Sequence, residues 1–98
     1  MPLLFSIGAL AVAHLFDYVS FLLMVKRHGL AAEANPVVIS VAEELGLPGV
    51  TLAKLAVVAF AALATVVLAR RRRGLARAVV VLGVVAGLIG GLSNVATL

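Results

Sequence analysis

Residues 3–25 read LLFSIGALAVAHLFDYVSFLLMV, an apolar run of 23 residues that contains one carboxylate, Asp17. As an α-helix rising 1.5 Å per residue it is about 34 Å long, enough to cross a hydrocarbon core of roughly 30 Å. Asp17 is the objection to that reading. On the insertion scale a central Asp costs about 2.5–3.5 kcal/mol, and each Leu, Ile, Phe or Val returns about 0.3–0.6. The run holds thirteen residues of those four types. Together they return about 4–8 kcal/mol, which outweighs the acid. The stretch reads as a membrane span, and Asp17 needs a partner inside it.

The rest of the chain agrees. Its 98 residues are 64% hydrophobic and 12% charged, against roughly 45–50% and about 25% in soluble domains. A small soluble domain must coat a large surface with polar groups, and too few are present. One domain is the expectation at this length. With no cysteine, disulfides, thiolate metal sites and iron–sulfur clusters are excluded. A signal peptide is a poor fit. The start lacks a basic region, and the apolar run continues past Ala11-Val12-Ala13 to Val25.

Two further apolar runs follow, 48–69 and 75–98. Between the first and second lies KRHGLAAEANPVVISVAEELGLPG, residues 26–49. Asn35-Pro36 is a helix start and Gly46 with Pro48 a helix stop. The helix between them, about 36–45, is too short to span. It places Ser40, Glu43 and Glu44 on one face and Val37, Val38, Val41, Ala42 and Leu45 around the rest, an amphipathic helix suited to the interface. A re-entrant half-helix is the rival, at the cost of carrying two glutamates inward. The expected fold is an all-α membrane protein with three transmembrane helices and one short interfacial helix. Gly74 is the residue expected to permit the tight hairpin between spans two and three.

Arg70, Arg71, Arg72, Arg73 and Arg77 stand between the last two spans. By the positive-inside rule this hairpin faces the cytoplasm of a plasma membrane, and the N-terminus with it. Lys26 and Arg27 argue more weakly for the reverse. The arginines are also placed to meet anionic lipid head groups. No Gly-rich phosphate loop accompanies them, and nucleic acid is not an expected partner.

With that topology Asp17, Lys54 and Asn94 fall toward the same side in three spans, with Ser93 beside Asn94 and Glu33 and Asn35 capping that side. Intramembrane charges usually face the bundle interior and pair. The expectation is an Asp17–Lys54 ion pair with Glu33 as a competing acid. His14 and Asp17, three apart, share a face, and Ser20 extends the stripe. His14, Asp17, Glu33 and His28 could be assembled into a metal site on paper, but H-x-x-D is weak spacing. Neither metal nor other cofactor is expected, and no catalytic residue is assigned. Gly83, Gly87 and Gly91, with Gly90 and Asn94 adjacent, form a small-residue stripe that lets helices approach closely. It serves packing within the chain or contact with a second copy or another membrane protein.

Asp17-x-x-Ser20, Gly29, Glu33-Ala34-Asn35-Pro36 and Lys54 together resemble a family of small prokaryotic membrane proteins catalogued as domain of unknown function 5658. The pattern covers about residues 10–60, and Ser20 stands where Thr is expected. The resemblance implies a multi-pass membrane protein with a polar cluster built from Asp17, Glu33, Asn35 and Lys54. It implies no activity.

Three functions remain open. The first is a non-enzymatic accessory or assembly component held together by its polar cluster. The second is an oligomeric transporter or ion-conducting protein with Asp17 as the titrating group. The third, ranked last, is a membrane enzyme using His14, Asp17 and Glu33.

Overall fold

A computed structural model describes residues 2–33 and 35–98; Met1 and Ala34, the latter inside the Glu33–Pro36 motif, lie outside it. The described residues form helix α1 (Leu3–His28), a 3-10 turn (Leu30–Ala32), helix α2 (Pro36–Arg71) and helix α3 (Arg73–Thr97), with no strand among them. All three long helices are apolar and long enough to cross a membrane.

The helix ends follow from local chemistry. α1 ends at Gly29, whose φ of 82° suits a residue without Cβ, while its N–H bonds to Val25 O at 2.8 Å. Lys26, Arg27 and His28 occupy the last turn of α1, where the helix dipole favours positive charge. α2 begins as the sequence predicts: Asn35 Oδ1 accepts from Val37 N at 2.9 Å, with Pro36 at the first helical position.

Residues 36–45 are helical up to the expected stop, and a second helical segment follows it. Both belong to α2, which runs on to Arg71 through one non-helical residue, Gly46, at φ 73°, ψ −174°. α2 is therefore two helical segments joined at Gly46, and Pro48 is tolerated in the first turn of the second. A straight helix of this length would measure about 54 Å, against 44 Å for the longest dimension of the molecule. The leading segment of α2 turns its Val38, Val41 and Ala42 onto Phe21, Met24 and Val50 at one end of the bundle. Ser40, Glu43 and Glu44 are exposed, and so are Val37 and Leu45, which the sequence reading had placed with the apolar face.

At the opposite end the connection between α2 and α3 is the single residue Arg72, with φ −137° and ψ 76°. Gly74 lies inside α3 rather than in the turn. An extended residue that leaves both neighbours helical is enough to reverse the chain, so glycine is not required there.

α1 packs most extensively on α3, and all three helix pairs touch. The α1–α3 seam is where the glycine stripe lies. A Cβ on Gly87 would sit 2.8 Å from the Ala13 carbonyl carbon, one on Gly83 would meet Leu10, and one on Gly91 would meet the Phe16 ring. The stripe is thus filled by α1 of the same chain. Between its charged ends the outer surface is largely apolar: Leu4, Phe60 and Leu82 are 86%, 75% and 69% exposed. Patches of that kind aggregate in water and suit a lipid surrounding.

Candidate functional site

Asp17 lies near the middle of α1, about 17 Å along the helix from its His28 end. Groups from all three helices converge on it. Lys54 of α2 donates from Nζ to Asp17 Oδ2. Asn94 of α3 donates from Nδ2 to Asp17 Oδ1 at 3.2 Å, with Asp17 O at 3.1 Å and Ser20 Oγ at 3.2 Å also in reach. An amide carries two hydrogens, so one is shared among these three acceptors. Ser20 Oγ in turn donates to Asp17 O at 2.9 Å. A Cβ on Gly90 would lie 2.5 Å from Asp17 Oδ1, so glycine at that position leaves the space the carboxylate fills.

Beside this knot is a cavity of about 90 Å³ lined by Asp17, Tyr18, Glu33, Asn35 and Lys54, with Phe21, Val38 and Val50 as its apolar wall. One water needs roughly 10–15 Å³ by such a measure, so the cavity has room for several. Glu33 holds the edge through a local turn, its Oε1 accepting from Asn35 N at 2.9 Å. Glu33 makes no ion pair with Lys54 among the described residues, where the one salt bridge is Lys54–Asp17. Asn35 contributes to the cavity wall while its side-chain oxygen caps α2.

Asp17, Glu33, Asn35 and Lys54, spread over 38 positions of the sequence, thus share one cavity. A family model described as Domain of unknown function (DUF5658) matches residues 8–98. The chain belongs to that family. The match takes in every residue of the cavity and of the knot around Asp17. No curated protein and no solved structure matches the chain.

His14, one turn before Asp17, is buried, and its Nδ1 has no hydrogen-bond partner among the described residues. It lines a second, apolar groove of about 280 Å³ between α1 and α2, with Leu15, Leu55 and Val58. No group of three His, Cys, Asp or Glu side chains that could hold a metal ion occurs among the described residues. His28 lies away from Asp17 at the end of α1, where its Nε2 donates to Leu98 O at 3.1 Å. Arg70, Arg71, Arg72, Arg73 and Arg77 are exposed at the far end of the bundle.

Two site residues escape sequence reasoning. The Tyr18 hydroxyl lies 2.6 Å from Thr51 Oγ1, tying α1 to α2 one turn from Lys54. Thr51 donates to Leu47 O at 3.1 Å, so Tyr18 is the donor to Thr51. The available signal was spacing: Thr51 is three residues before Lys54, on the same helical face.

Proposed function

We propose that the chain is a multi-pass membrane protein of non-enzymatic, accessory or assembly type. In this reading Asp17 and Lys54 form an intramembrane ion pair. The arginine end faces the cytoplasm, and residues 36–45 lie at the opposite interface. The observation that carries it is the convergence on one carboxylate of a donor from α2 and a donor from α3. In lipid no hydrophobic drive holds helices together, so interhelical hydrogen bonds and close packing do that work. A carboxylate answered by two helices sets the register of both.

The test is a charge swap. Asp17→Lys and Lys54→Asp each lower stability in detergent, and the double variant recovers much of the loss. If neither single change alters stability, the joint is not there. Reporter fusions to the 70–77 hairpin test the orientation separately, and an extracellular signal would reverse it.

The cavity with Glu33 beside Asp17 favours one second reading, a small transporter or ion-conducting oligomer with Asp17 titrating. Three spans hardly enclose a water path, so this reading requires several copies. It demands a pH-dependent flux in liposomes that Asp17→Asn abolishes while the protein stays folded. A wild-type protein without flux dismisses it.

A further inference from the structure

At the arginine end the bundle holds a cleft of about 270 Å³, far from the Asp17 site. We propose that this cleft binds the phosphate of one anionic phospholipid. Arg73 and Arg77 line it from α3, and at i and i+4 they lie on one helix face. Their guanidinium forks match phosphate oxygens in pairs.

No arginine contacts a carboxylate among the described residues, where the single salt bridge is Lys54–Asp17. All four acids of the chain fall within residues 17–44, toward the other end. The guanidiniums therefore lack a counterion from this chain. The hydroxyls in the cleft do not supply the recognition, since Ser6 donates to Pro2 O and Thr65 to Ala61 O, each four residues earlier in the chain. α1 and α3 begin at this end with Leu3 and Arg73 while α2 ends there at Arg71, so two positive helix termini against one negative add only modestly to the potential of the arginines.

A lipid fits better than free phosphate. Leu3, Ala69 and Val80 line the same cleft and offer a wall to an acyl chain, which a hydrated ion does not need. The cytoplasmic leaflet carries anionic lipids. The inference rests on the membrane reading above but not on the role given to Asp17.

The test uses the full chain in mild detergent and native mass spectrometry, titrated with phosphatidylglycerol, phosphatidylcholine or inorganic phosphate. One phosphatidylglycerol per chain is retained in preference to phosphatidylcholine. R73Q/R77Q weakens retention at least about tenfold. R70Q/R71Q, with the same net charge but outside the cleft, weakens it several-fold less. A69L keeps every charge, fills the cleft and also weakens retention. Thermal melts establish that each variant compared is folded.

Equal losses in the two arginine pairs would reduce the effect to a general positive field and overturn the site. So would equal retention of both lipids, or unchanged retention in A69L. Displacement by millimolar inorganic phosphate would assign the cleft to the free ion and overturn the lipid. Alkaline extraction of the wild type separates the two levels. A protein that stays in the membrane yet retains no lipid sinks this proposal alone, whereas one released by alkali sinks the membrane reading.

Discussion

Gly87→Ala probes the link between helix packing and the polar knot. The new Cβ would lie 2.8 Å from the Ala13 carbonyl carbon and 2.9 Å from its oxygen. Non-bonded carbons rest at about 3.5–4.0 Å. The obstacle is backbone, so no rotamer change relieves it, and α1 and α3 must separate by about 0.7 Å or more. Asn94 sits two turns further along the same face of α3. Its Nδ2 is 3.2 Å from both Asp17 Oδ1 and Ser20 Oγ, already at the long limit of about 3.2 Å for an N–H···O bond. The same separation takes both contacts out of reach. Overpacking costs about 1–3 kcal/mol, and each lost interhelical bond adds about 0.6. The gain in helix propensity on replacing glycine returns about 1 kcal/mol. The net expectation is a destabilisation of about 1–3 kcal/mol. Far-UV circular dichroism during unfolding in detergent measures it. Gly74→Ala is the control, since a Cβ there meets nothing within 4 Å, and it should gain up to about 1 kcal/mol. If Gly87→Ala proves as stable as Gly74→Ala, the seam is not closed as described and the reasoning fails.

Gly46→Ala places a side chain on a φ, ψ pair that is essentially reserved for glycine, and should cost about 1–3 kcal/mol in the same unfolding measurement; an unchanged midpoint would deny the break in α2. Asn35→Ala removes the acceptor for Val37 N–H and should cost about 1 kcal/mol, with Asn35→Asp close to wild type; equal losses in both would place the effect elsewhere. Tyr18→Phe and Thr51→Val each remove the same α1–α2 bond, so their effects, about 0.6 kcal/mol apiece, should be less than additive in a double-mutant cycle. His14→Leu removes a buried nitrogen without a partner and should be neutral or stabilising by about 1 kcal/mol; a loss above about 2 kcal/mol would mean that the ring makes a bond of structural weight.

Part of this architecture was legible before any coordinates. Asn35-Pro36 announces the start of α2 because capping depends on residues within one turn. Gly46 and Pro48 announce a break for the same reason. Whether a break ends a helix or bends it is a tertiary question. Here the segment 36–45 ends at Gly46 and is placed by Val38, Val41 and Ala42 packing against Phe21 and Met24. Gly74 misled for the opposite reason. It resembles a turn residue, but Arg72 alone makes the reversal.

Hydropathy and the placement of arginines were enough to determine three apolar helices and which ends lie together, because transfer into lipid is counted residue by residue. Asp17 declared its own need for a partner in the same way. Lys54 was legible as its partner by charge and depth, whereas the detailed contacts were decided only by the packed bundle. Asn94, Gly90 and the Tyr18–Thr51 bond depend on how each helix is rotated about its axis. That rotation is set by glycines of α3 closing on Leu10, Ala13 and Phe16 of α1, a contact between segments some 70 residues apart in the chain.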